Sequence, residues 1–119
     1  MPEWKVVRLE YKNVDNPSQN VLVTNMHWEC TASELKDPAP SDPEDDLYWR
    51  GRVYGSLPDG NNRVYTLPAL QAVPQATVIG WVQAAIDAGP EQSVAEIEAA
   101  VLAQIEKQKN PPGGSVVPV

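Results

Sequence analysis

The sequence predicts an α+β protein: an N-terminal antiparallel sheet of about four strands, followed by a C-terminal two-helix hairpin and an extended tail. Three observations carry this expectation. Apolar residues alternate at period two through the first two-thirds of the chain. Beyond Pro68 they recur at the three-to-four-residue spacing of an amphipathic helix. The last ten residues, NPPGGSVVPV, stop that periodicity with proline and glycine. A length of 119 residues leaves room for one domain. It is expected over 1–109, with the sheet in 3–67, helices at 74–88 and 91–109, and a Pro/Gly tail over 110–119.

Each element follows from its residues. In the first strand, 3–11, Val7, Leu9 and Tyr11 are set against Lys5, Arg8 and Glu10, and Trp4 and Val6 give the second face some apolar character. In the second, 21–31, Leu22, Met26, Trp28 and Cys30 share one side, while Asn25, His27 and Glu29 take the other. The turn-forming run NVDNPSQN between them makes an antiparallel pair. Residues 32–46, with Pro38, Pro40 and Pro43 among many acids, read as a long surface loop. The third strand, 47–57, turns Leu47, Trp49, Val53 and Leu57 one way and Tyr48, Arg50, Arg52 and Tyr54 the other. Gly51 and Gly55 fall on its apolar side, where each marks a bulge or a close approach of another backbone. Pro58-Asp59-Gly60-Asn61-Asn62 is a hairpin signal, with strand four returning over 63–67. In the first helix Val78, Val82, Ala85 and Ile86 form the stripe, and Gly89-Pro90 ends it. The second carries Val94, Ile97, Val101 and Ile105, with Leu102 beside them. Glu91, Glu96 and Glu98 lie toward its start and Lys107 and Lys109 at its end, as the helix dipole favours.

Composition excludes several function classes. Nine Lys+Arg against sixteen Asp+Glu give a net charge of −7, which argues against a nucleic-acid partner, since phosphate binding needs a cationic face. One His and one Cys are too few for a zinc site or for a nucleophile–His device. No run approaches the roughly 20 apolar residues of a membrane span, so no membrane partner is expected. The N-terminus lacks the apolar core of a signal peptide, and the lone Cys30 has no disulfide partner. Folding in a reducing cytoplasm is the expectation.

Candidate chemistry reduces to a few places. The acidic run Asp42, Glu44, Asp45, Asp46 lacks the alternate spacing and central glycine of a calcium loop and reads as solvated. His27 and Glu29 point the same way, but no nucleophile or metal ligand joins them in the local pattern. Cys30, on an apolar face, reads as a buried and inert thiol. The row Tyr48, Arg50, Arg52, Tyr54 is the candidate partner-binding face, because Tyr and Arg are enriched in interface hot spots. Its alternative is an ordinary solvated face whose arginines pair with the acidic surplus. The tail tip, Val116, Val117 and Val119, is apolar and suits burial in a groove of this chain or a neighbour. No catalytic residue, metal or cofactor is assigned.

Three further stretches point to a family. They are Thr77-Val78-Ile79-Gly80-Trp81-Val82, then Val94-Ala95-Glu96-Ile97-Glu98-Ala99-Ala100, and Gln104-Ile105-Glu106-Lys107-Gln108-Lys109-Asn110-Pro111. With Met26-His27-Trp28-Glu29-Cys30 and the Tyr-Gly-Ser-Leu-Pro run at 54–58, the chain resembles small virion- or tail-associated proteins of tailed, cyanophage-like bacteriophages. The resemblance implies a non-enzymatic structural subunit of a phage particle, at its tail or tail fibre, acting through protein–protein contacts. Its alternatives are a tail or fibre assembly chaperone not retained in the virion, or a capsid-decorating protein. It implies other phage structural proteins as partners, with a homo-oligomer as a further option. The chain would be made and folded in the bacterial host cytoplasm and located in the virion. A lysozyme-like hydrolase would need opposed carboxylates in a cleft, and the carboxylates here cluster in loops and on helix surfaces.

Overall fold

The computed structural model describes residues 2–15, 20–61 and 63–110; the tail positions Val116, Val117 and Val119 lie outside them. The architecture is α+β. Strands β1 (Glu3–Asp15), β2 (Asn20–Leu35), β3 (Tyr48–Pro58) and β4 (Val64–Thr66) form one antiparallel sheet, followed by α1 (Leu67–Gln71), α2 (Gln75–Ala88) and α3 (Val94–Lys109). Strand β2 is central. It pairs with β1 on one side, and with both β3 and β4 on the other.

Two single-residue bulges decide which side chains reach the core. One lies at Val7 of β1, where the register steps from Val6↔Trp28 to Arg8↔His27. The other lies at Thr24 of β2, where it steps from Glu10↔Asn25 to Tyr11↔Val23. A bulge shifts the period-two phase by one. Hence β2 buries Val21 and Val23 before the bulge and Met26, Trp28, Cys30 and Ala32 after it, and Leu22 stays outside the core. In β1 the core face holds Trp4, Val6 and Leu9, whereas Val7 is 55% exposed. Strict alternation had grouped Leu22 with Met26 and Val7 with Leu9; the bulges undo both groupings.

The hairpin expected after Pro58 does not form, because β4 pairs with β2 and not with β3. Partners of β2 descend from Leu35↔Tyr48 to Asn25↔Pro58, and then from Leu22↔Val64 to Asn20↔Thr66. Strands β3 and β4 therefore follow one line along the same edge of β2, interrupted by a short excursion. The Asp59 N–H donates to the Thr24 carbonyl (2.9 Å) as the chain leaves, and the Arg63 carbonyl accepts the Val23 N–H (3.1 Å) as it returns. Asp-Gly hairpin turns need a positive φ, and no described glycine has one. Instead the buried Asp59 carboxylate accepts the Asn61 N–H (3.0 Å) and pairs with Arg63 Nε at 3.1 Å.

Other boundaries move too: β1 runs on to Asp15, through the first residues of the expected turn. Residues 32–35 belong to β2 because β3 supplies ladder partners as far as Leu35↔Tyr48, so the loop begins at Lys36. The five-residue α1, capped by Thr66 Oγ1 accepting the Ala69 N–H (3.3 Å), was not expected. The last helix begins at Val94 rather than at 91. Ser93 Oγ accepts the Glu96 N–H (3.1 Å) and Asp87 Oδ1 accepts that of Val94 (2.8 Å), so two amides of the first turn are satisfied there.

Helices α2 and α3 pack on the sheet more than on each other: α2 on β1, α3 on β3 and β2. Val78, Val82 and Ile86 of α2 and Ile97, Val101 and Ile105 of α3 complete the core. Burying one such side chain stabilises the fold by about 1.5–3 kcal/mol. Two glycines permit close contacts, Gly51 between sheet and helix and Gly55 between neighbouring strands. A Cβ on Gly51 would strike the Val101 carbonyl oxygen, and one on Gly55 would lie 2.8 Å from Cζ2 of the Trp28 ring.

Candidate functional site

All three helices lie on one side of the sheet, which leaves the other side as an open face. On β3 the open face carries Tyr48, Arg50, Arg52 and Tyr54, the row expected from sequence. Arg50 Nε donates to Asp46 Oδ2 (2.6 Å) and its guanidinium lies 5.3 Å from the Tyr48 ring. Arg52 Nε donates to Glu29 Oε2 (3.0 Å) and lies 4.7 Å from the Tyr54 ring. Each guanidinium is thus held between a carboxylate and a ring, yet stays largely exposed, and Tyr54 is 71% exposed. Both readings weighed from sequence meet here: the arginines do pair with acids, and the aromatic surface remains open. The hydrogen bond from Arg50 holds the Asp46 carboxyl below, and the Arg50 guanidinium above, their ordinary ranges.

The same face continues across β2 and β1. His27 does not pair with Glu29; its Nε2 meets Glu10 Oε1 of β1, and Arg8 Nη2 lies 3.4 Å from the same ring nitrogen. The hydrogen bond with His27 holds the Glu10 carboxyl below its ordinary value of 4.5, assisted by the charges of His27 and Arg8. Lys5 stands opposite Glu29, and Lys12 opposite Leu22, on this side. Five of the nine cations of the chain therefore occupy the open face, with Glu3, Glu10 and Glu29 as its acids. Most of the remaining acids lie in the loop before β3, in α2 and α3, and in the connection between those helices. This separation is invisible in a net charge of −7. Two shallow hollows of about 520 Å³ interrupt the face, one among Thr31, Ser33, Arg50 and Arg52, the other among Arg8, His27, Tyr54 and Ser56.

Glutamines close parts of both sheet edges. Gln75 of α2 accepts the Val6 N–H (3.1 Å) and donates to the Val6 carbonyl (2.8 Å), as a neighbouring strand would. Gln104 of α3 does the same at Arg52 (2.7 and 2.8 Å), and Gln108 donates to the Arg50 carbonyl (2.7 Å). Unpaired edge groups are templates for other chains, so these amides limit where another strand can add. The residues are legible only as polar positions; Gln104 and Gln108, four apart on one helix, are the sole hint of a common target.

The other candidates lie apart. Cys30 is buried, and desolvation, with the charge of Glu98, pushes its thiol up to about 11. Asp42 Oδ1 accepts the Glu44 N–H (2.9 Å) and Asp46 Oδ1 that of Tyr48 (3.1 Å), so the acidic run uses its oxygens to shape its own turn. Among the described residues no group of His, Cys, Asp or Glu is placed to hold a metal ion, and no helix is long and apolar enough to cross a membrane.

Residues 2–118 match the family model described as Domain of unknown function (DUF7936). The chain belongs to that family. No curated protein and no solved structure matches it. Within this DUF7936 chain the helices, the two long strands and the open face all fall inside the matched span.

Proposed function

We propose that the chain is a non-enzymatic structural subunit of a tailed-phage particle, at the tail or tail fibre, which acts by protein–protein contact through its open sheet face. The observation that carries this reading is the exposed row Tyr48, Arg50, Arg52 and Tyr54, whose guanidinium groups are already oriented by Asp46 and Glu29. Pre-oriented Arg and Tyr side chains lose little rotamer freedom on binding, and their planar groups cover much area. The Val-Ile-Gly-Trp-Val and Gln-Lys-Asn-Pro stretches supply the link to phage particles through the resemblance described above. In this reading other phage structural proteins, or further copies of the chain, cover the face, and the chain resides in the virion. The tail tip, Val116, Val117 and Val119, is a second contact in the same proposal.

Mass spectrometry of purified particles tests it: the chain is expected in intact virions at constant stoichiometry. Repeated absence from particles, with co-purification on assembly intermediates, would establish the assembly chaperone instead. Presence in heads separated from tails would favour the capsid-decorating alternative.

A further inference from the structure

We infer that the free edge of β1 beyond Val6 is a strand-addition site for an extended segment of a partner protein in which apolar residues alternate with Asp or Glu. Among the described residues, Gln75 closes the edge at Val6 only. Because Val6 turns its N–H and C=O outward, the ladder alternation on either side of the two bulges turns those of Leu9 and Tyr11 outward as well. Residues that turn their backbone groups outward here also point their side chains to the helical side. Leu9 and Tyr11 accordingly line a groove of about 270 Å³ beneath the edge, floored by Leu67, Leu70, Val73 and Val78. A strand added to β1 would make main-chain hydrogen bonds with Leu9 and Tyr11 and lower every second side chain into this apolar groove.

The charges select the occupant. Its other side chains would lie on the open face beside Arg8 and Lys12, while Glu10 between them is already engaged by His27. Arg8 lies 3.7 Å from Glu10 Oε1, which His27 also engages, yet its side chain stays 67% exposed and open to a further carboxylate. Carboxylates at alternate positions are the complement of that pair. A second copy of β1 paired about Glu10 is disfavoured, because that register would set Arg8 and Lys12 of one copy against Lys12 and Arg8 of the other, and Glu10 against Glu10. The C-terminal segment of the chain does not fit, since residues 111–119 carry no acidic side chain and Pro118 lacks a ladder donor. The proposal concerns the edge of β1 alone and holds whether or not the chain resides in a virion.

The test uses the full chain and a synthetic peptide, acetyl-(Glu-Val)₃-Glu-amide, against (Lys-Val)₃-Lys and a Glu-Val peptide with proline at its centre. In ¹⁵N-resolved NMR titrations the Glu-Val peptide is expected to shift the amides of Leu9 and Tyr11 and slow their hydrogen exchange. The two control peptides should leave them unmoved. Lys12→Glu, an exposed change, should weaken binding about three- to fivefold, and Arg8→Glu/Lys12→Glu about tenfold. Leu9 and Tyr11 amides unmoved at millimolar peptide would overturn the proposal. So would equal binding of the Lys-Val peptide, or shifts confined to the β3 edge. Such failures would leave the virion assignment standing, and absence from particles would leave the edge site standing.

Discussion

At the scale of single residues, the sheet and the helices meet at places with no spare volume. Gly51 is the sharpest of these, because the Val101 carbonyl occupies the space a methyl group would need. Gly51→Ala should therefore destabilise the fold by about 1–3 kcal/mol, the usual cost of overpacking, read as a lower urea midpoint with unchanged slope. The sequence marked this position correctly, since a glycine on the apolar side of a strand signals a close neighbour. Glu10 illustrates a different residue effect. Its carboxyl is held below 4.5 by the His27 hydrogen bond, so its contribution to stability is present above that pH and lost as pH falls through the depressed value. Glu10→Gln should flatten the acid limb of a stability-versus-pH curve below about pH 4.5, and should leave its slope in the alkaline range unchanged. That partnership was not legible. The pattern paired His27 with Glu29 along one strand, while the partner that captured it comes from the neighbouring strand, diagonally across the ladder and two residues beyond Arg8, which stands opposite His27.

At the scale of elements, strand and helix types follow from periodicity, and the errors are errors of phase and pairing. Alternation is a strictly local signal. A bulge at Val7 or Thr24 changes nothing in local composition, yet it exchanges core and solvent for every residue beyond it. Likewise Asp59-Gly60 has the composition of a hairpin turn, but the buried Asp59–Arg63 pair folds the segment back onto the edge it left. Arg63 also lies 4.2 Å above the Trp81 ring, and Trp81 stacks on Tyr65, so three elements separated in sequence hold the excursion. No single-strand pattern encodes that. The glutamine caps are a second device invisible to periodicity. Gln104→Ala removes two hydrogen bonds to Arg52, worth about 1 kcal/mol each, and Gln75→Ala removes the pair at Val6. Each variant should lose about 1–2 kcal/mol in chemical denaturation and should scatter more light than the parent at high concentration, as a newly opened edge predicts.

At the scale of the whole molecule, the sheet has one face committed to the helices and one committed to charge and aromatic side chains. That division makes stability and recognition separable. Arg50→Ala/Tyr54→Ala alters exposed groups only, so the unfolding free energy should change by less than about 1 kcal/mol. In the proposed role the same variant should be depleted from purified particles at least severalfold relative to the parent chain, by quantitative mass spectrometry. The row itself was readable in the sequence because β3 alternates without a bulge. The concentration of cations around it was not, since five residues scattered between Lys5 and Arg52 become neighbours only when three strands pair. The excursion at 59–63 carries one more consequence, for how such a chain can change length. Its two ends are held at adjacent residues of β2, Thr24 and Val23, and beyond Gly60's own chain neighbours no atom lies within 4 Å of where its Cβ would be. Residues inserted at Gly60 would extend into solvent while the ladder on either side kept its register. An epitope tag placed there should leave the melting temperature within a few degrees of the parent's. The break between β3 and β4 is thus the natural seam of the sheet, where a lineage or an engineer adds sequence without rewriting the fold.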